Sequence, residues 1–101
     1  MQFLVIARVA EGTPMEKVLP LVKDEAAKVW EYYAAGLVRS IYYIGDMNGA
    51  VLLCEANSLS ELTEAVNKFP MKQANALNFE ILPLLPYTGI GELFARVTAH
   101  P

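Results

Sequence analysis

The chain predicts an α+β fold with the element order βαββαβ, and three observations carry that prediction. Four short stretches, residues 2–10, 37–44, 49–56 and 77–85, are rich in β-branched, aromatic and other apolar residues. Between the first and second stretches, and again between the third and fourth, apolar residues recur at the three-to-four spacing of a helix. The two middle stretches flank Gly45-Asp46-Met47-Asn48-Gly49, where glycine and Asx residues offer the unusual backbone angles of a hairpin turn. At 101 residues there is room for a single domain, 1–101, and for one core.

Residues 2–10 form the first expected strand, with Phe3, Val5, Ala7 and Val9 on one face and Gln2, Leu4, Ile6 and Arg8 on the other. Gly12-Thr13-Pro14 ends it. Thr13 is the expected cap of the first helix, Pro14 suits its first turn, and Glu16 suits the positive end of its dipole. The helix is expected to reach about Ala35, with an apolar stripe of Met15, Leu19, Val22, Ala26, Val29, Trp30 and Tyr33 and a kink at Pro20. Gly36 suits the left-handed C-terminal cap.

The hairpin of residues 37–56 follows. Ser58 and Glu61 then have capping-box spacing at the start of a second helix, whose buried stripe is Leu59, Leu62, Val66 and Phe69 and which Pro70 should stop. Residues 71–76 read as a connecting loop. In the last strand Pro83, and just beyond it Pro86, lack a ladder donor, so this strand belongs at a sheet edge. The order is that of a ferredoxin-like domain: an antiparallel four-stranded sheet with both helices on one face. Residues 87–101 are too apolar at Ile90, Leu93, Phe94 and Val97 for a solvated tail and are expected to dock on a partner subunit.

Composition narrows the function classes. Apolar residues make up 54% and charged residues 19%, rich for so small a domain, so some apolar surface is expected to meet a partner. The net charge of −3 comes from scattered residues with no basic stripe, which argues against nucleic acid. Residues 1–8 lack a basic leader and no apolar run reaches transmembrane length, so a cytoplasmic protein with no membrane partner is expected. The single Cys54 reads as a small buried apolar side chain, and neither a zinc cluster nor any other metal site is expected. No nucleotide-binding or nucleophile motif occurs. His100, next to the C-terminus, is read as a surface residue.

Strand alternation assigns Phe3, Val5, Ala7, Val9, Val38, Ser40, Tyr42, Ile44, Ala50, Leu52, Cys54, Ala56, Leu77, Phe79 and Ile81 to the helix-packed face. The opposite face then carries Leu4, Ile6, Ile41, Val51, Leu53, Leu82 and Leu84, together with Arg8, Arg39, Tyr43, Glu55 and Glu80. Leaving those aliphatic side chains in water forgoes roughly 1.5 to 3 kcal/mol for each large one, so a second sheet is expected to face the first in a dimeric α+β barrel. Charges in such a space must be paired or receive a polar ligand. Two readings stay open: rim charges that are solvated or paired, or a site in which Arg39 anchors a substrate carboxylate and Tyr43, Glu55 and Glu80 contact the ligand. On the first helix, Glu25 borders the apolar stripe, where partial burial would make it a useful proton donor or acceptor.

Lys23-Asp24-Glu25 on the long helix, Gly36 followed three residues later by Arg39, and the ending from Phe69-Pro70 to Leu85 together resemble the muconolactone isomerase family of small dimeric α+β barrels. The resemblance spans roughly residues 21–85. It implies a homodimer, larger rings of such dimers, and cofactor-free isomerisation of an unsaturated lactone acid in aromatic degradation. Its matching positions are Glu25, moving a proton beside the lactone carbonyl, and Arg39, holding the carboxylate or stabilising the enolate. The family pattern has a histidine and a further basic residue where this chain has Ser40 and Tyr43. The leading expectation is a cofactor-independent isomerase acting on a small lactone or enolisable acid. The alternatives are a cofactor-free oxygenase or cyclase of the same superfamily, and a non-enzymatic ligand-binding or assembly module.

Overall fold

In the computed structural model, which describes residues 1–95, the chain runs β1 (Gln2–Val9), α1 (Met15–Val18), α2 (Val22–Ala34), β2 (Val38–Tyr43), β3 (Gly49–Glu55), α3 (Leu59–Val66), α4 (Pro70–Gln73) and β4 (Leu77–Leu84). The strands form one antiparallel sheet in the order β2-β3-β1-β4. This is the ferredoxin-like arrangement the sequence predicts, with the proline-bearing β4 at an edge, where Pro83 opposite Phe3 needs no second partner.

One face of the sheet carries the core. Phe3, Val5, Val38, Leu52 and Cys54 pack against Tyr32 of α2, Leu62 and Val66 of α3, and Phe69. Tyr32 meets Phe69 edge-on at 5.4 Å between ring centroids, and Phe69 stacks on Phe79 at 6.0 Å. The buried phenol of Tyr32 donates to the Ala65 carbonyl at 2.6 Å, so its polar end is satisfied. Cys54 is fully buried, and burial pushes its thiol up to about 11, which keeps it a neutral apolar filler.

The first helix departs from the expected one in its N-terminal part and in its phase. Pro20 breaks it: residues Leu19–Leu21 form a 3-10 turn between α1 and α2, because proline lacks the N–H that an α-helical bond would use. The expected cap is absent too, since Pro14 holds the N-cap position without a side-chain hydrogen bond. The second departure is the phase of α2. Its buried residue is Tyr32, 8% exposed, flanked by half-buried Glu25, Lys28 and Val29, while Trp30 and Tyr33 stack on each other outside at 5.8 Å and are 67% and 51% exposed. The expected stripe therefore faces outwards except at Val29.

Strand β2 corrects the face list. A bulge between Val38 and Ser40 shifts its register, so Ser40 opposes Leu53, Ile41 opposes Leu52, Tyr42 opposes Val51 and Tyr43 opposes Ala50. Residues opposite each other share a face, so Ser40 and Tyr42 join the open face while Ile41 and Tyr43 move to the helix side. In the turn that follows, the left-handed residue is Met47 (φ 61°) and neither glycine. Gly49 serves differently: a Cβ there would fall into the Ala7 carbonyl of β1.

Gly36 is left-handed (φ 83°) as expected and donates to the Tyr33 carbonyl. Ser58 caps α3 by accepting from Glu61, and the Glu61 carboxylate reaches back to the Asn57 N–H. The expected helix stops earlier, at Val66, so Phe69 lies beyond it and Pro70 does not end it. Pro70 opens α4 at the first-turn position, turning part of the expected loop into a helical turn. The apolar C-terminal segment is described to residue 95, with a 3-10 turn at Thr88–Leu93 and exposed Ile90, Leu93 and Phe94. Val97 and His100 lie outside the described residues.

Candidate active site

Glu25 stands seven residues before Tyr32, two helical turns, and so lies on the same inward side of α2. Its Oε1 accepts a hydrogen bond from the Met71 N–H at 2.9 Å. That N–H belongs to the first turn of α4 and has no partner within its own helix. Burial raises the proton affinity of Glu25 above the ordinary carboxylate value, and the Met71 hydrogen bond offsets only part of the rise. A half-buried carboxylate with raised proton affinity is suited to taking up and giving back a proton.

Arg39 is the extra residue of the β2 bulge, and it is exposed. Its Nη1 lies 3.8 Å from the position a Cβ would take on Gly36, which places the guanidinium beside the C-terminal end of α2, on the helix side of the sheet. There it borders a shallow cavity of about 240 Å³ lined also by Tyr33, Gly36 and Val38. Among the described residues Arg39 has no ion-pair partner, so its donors are available to an anion.

Glu25 does not line that cavity. Eight residues of α2, roughly 12 Å of helix, separate it from Tyr33. Tyr43, placed on the open face by strict alternation, sits on the helix side at the exposed end of β2, beyond the cover of the helices. Glu55 accepts from the N-terminal ammonium of Met1 at 3.0 Å and closes the β1–β3 end of the sheet. Glu80 opposes Ile6 on the open face and borders a second shallow cavity of about 200 Å³ with Ile6, Arg8, Asn78 and Phe79. The candidates thus divide between the two sides of the sheet: Glu25, Arg39 and Tyr43 on one, Glu55 and Glu80 on the other.

Sequence reasoning missed Tyr33 beside Arg39 and Tyr42 on the open face. Tyr33 was hidden by its assignment to the core stripe, and Tyr42 by a bulge for which β2 carries no glycine marker. Among the described residues no three His, Cys, Asp or Glu side chains gather as a metal site, and no helix is long and apolar enough to cross a membrane.

The sequence model of the muconolactone delta-isomerase family matches residues 1–89. Two of the solved structures similar to the chain are these. A muconolactone isomerase aligns with a TM-score of 0.72 at 17% identity, covering 100% of this chain and 97% of its own. The 5-chloro-2-hydroxyhydroquinone dehydrochlorinase of Burkholderia phenoliruptrix AC1100, in complex with 2,5-dihydroxybenzoquinone, aligns with a TM-score of 0.71 at 18% identity, covering 84% of this chain and 94% of its own. At such identities the likeness is one of fold. No curated protein sequence matches the chain.

Proposed function

The chain belongs to the muconolactone delta-isomerase family, and from that premise we propose that it is a cofactor-independent isomerase moving a proton on a small unsaturated lactone or enolisable acid. The observation that carries this reading is Glu25, a half-buried carboxylate whose proton affinity is raised by burial. Glu25 takes a proton from the carbon at one end of the conjugated system and returns it to the carbon at the other end, so that the double bond migrates. No electrons leave the substrate, and no redox partner is required. In this reading Arg39 binds the substrate's carboxylate at the cavity it shares with Tyr33. In this reading the protein works as a homodimer, with rings of dimers as a further level of assembly.

The test is direct. Incubation with muconolactone is expected to change its absorbance, and Glu25→Gln is expected to lower the rate by about two to four orders of magnitude with ligand affinity little changed. Arg39→Met is expected to weaken binding of a carboxylate ligand by about 1 to 3 kcal/mol. No absorbance change, together with a Gln variant indistinguishable from wild type, overturns the proposal.

A second reading is favoured by the quinone complex of the similar dehydrochlorinase. The same carboxylate would act as base on a flat hydroxylated ring. Thermal shift separates the two, because a ligand in excess of its dissociation constant raises the melting temperature. Stabilisation by hydroxyquinones alone favours the ring, and stabilisation by lactone acids favours the isomerase.

A further inference from the structure

The peptide of Met71 is clamped on both sides. Phe69, the N-cap residue of α4, is buried and packs its ring against those of Tyr32 and Phe79, at 5.4 and 6.0 Å between centroids. Pro70 follows in the first turn and has no N–H to offer. The Met71 carbonyl accepts from the Ala76 N–H at 2.8 Å, and the Ala76 carbonyl in turn accepts from the Ala10 N–H just past β1, also at 2.8 Å. The first donor of α4 is therefore the Met71 N–H, held in place by core and sheet, and it meets Oε1 of Glu25 at 2.9 Å. Oε2 of the same carboxylate has no hydrogen-bond partner among the described residues. It is also open to water, since no side-chain oxygen or nitrogen among the described residues is both sealed and without a partner. Charged neighbours do not compete for it by ion pairing: Lys28, one turn along α2, is taken up by Glu31 at 3.0 Å, and neither Asp24 nor Lys72 of α4 forms an ion pair with Glu25.

We propose that Met71 is the positioning residue of the candidate site: its main-chain N–H fixes Oε1 of Glu25 and leaves Oε2 as the oxygen that exchanges the proton with the substrate. This rests on the isomerase reading given above and adds the group that aims its base. A glutamate side chain has rotatable bonds enough to sweep its carboxylate through many positions, whereas proton transfer needs it within hydrogen-bond reach of one carbon. A bond from a clamped peptide removes that freedom before the substrate arrives. The two oxygens then have different tasks. A proton on Oε1 would weaken its bond to Met71, so the proton is taken up at Oε2. As the substrate C–H bond breaks, an O–H bond forms at Oε2 and the electron pair stays in the conjugated system. When the proton returns to carbon at the other end, Oε2 is free again, and Oε1 keeps Met71 throughout. Because the donor is main-chain, the device depends on the turn that Pro70 opens and not on the methionine side chain.

Two measurements test the positioning. In magnetic resonance titrations of the wild-type chain, the Met71 amide signals are expected to move with pH at the same midpoint as the Glu25 carboxyl carbon, and in Glu25→Gln they are expected to stay still. The second measurement replaces the Met71 N–H by an ester oxygen, by incorporating the α-hydroxy analogue of methionine. Loss of the donor is expected to move the Glu25 titration, and with it the acid limb of the pH–rate profile, to higher pH. It is also expected to lower kcat by about tenfold to a hundredfold with KM little changed. The same ester at Lys72, whose N–H has no hydrogen-bond partner among the described residues, controls for the weaker acceptor that an ester carbonyl provides, and it is expected to leave the Glu25 titration where it is. Circular dichroism verifies that each chain is folded. A Met71 amide that does not follow Glu25, or a folded Met71 ester with unchanged kcat, overturns the proposal. A wild-type chain that turns over no lactone or enolisable acid removes the isomerase reading and the positioning role with it. The titration needs no substrate, so it separates that failure from failure of the Met71–Glu25 bond itself.

Discussion

At the scale of single residues, Glu25 is where local structure and chemistry meet. The carboxylate holds the Met71 N–H and is half-buried, and its proton affinity is raised in the folded chain. A raised carboxylate pKa means that the native state binds the proton more tightly than the unfolded chain does. Its contribution to stability is therefore complete below the unfolded value and is lost as pH rises through the folded one. Thermal melts from pH 4 to 7 are expected to show a decline that Glu25→Gln removes, since the amide keeps an acceptor for Met71 and does not titrate. A decline unchanged in the variant would assign it to another group. Partial burial of Glu25 was legible only by way of its neighbour Val29, since the rest of the expected stripe faces outwards. The partner of Glu25 was not legible, because Met71 belongs to a helical turn that Pro70 opens where a loop was expected.

At the scale of elements, what was legible divides along physical lines. Element order, the Ser58 cap, the Gly36 turn and the edge position of β4 each depend on local chemistry that one or two residues declare. The phase of α2 does not. Residues 15–34 offer two apolar stripes about 100° apart, and adjacent Tyr32 and Tyr33 are alike in size and polarity, so only the sheet's own shape selects Tyr32. The bulge is equally silent, since a one-residue shift in β2 exchanges one tyrosine for another. Two substitutions probe the elements. Ser58→Ala removes the side-chain cap of α3 and is expected to cost about 1 kcal/mol in denaturant unfolding. Gly49→Ala drives a methyl group into the Ala7 carbonyl and is expected to cost about 1 to 3 kcal/mol, because the atom it meets is backbone in a central strand.

At the scale of the whole molecule, one side of the sheet is sealed by helices and the other is open. Ile6, Val51, Leu53 and Leu82 form an aliphatic centre there that no described helix covers. Substituting Leu53 with Asp is expected to abolish self-association in sedimentation at micromolar concentration while leaving the helix-side core intact, because an unpaired charge would occupy a dewatered contact. Retention of the wild-type mass would place the contact elsewhere. The face list drawn from alternation named these residues correctly in β1, β3 and β4 and failed only in β2, where the bulge lies.

The chain's single tryptophan lies outside the core, stacked on Tyr33, and Tyr33 also lines the Arg39 cavity. Its indole is therefore a built-in optical probe of that cavity rather than of global folding. A carboxylate ligand entering beside Arg39 is expected to change the intensity or colour of Trp30 emission in a saturable titration, with no label attached. Arg39→Met should abolish the response, whereas unfolding the core should alter emission only modestly, since the indole is already largely in water. A titration that leaves Trp30 unchanged while the ligand binds would move the acid-recognition site away from Arg39.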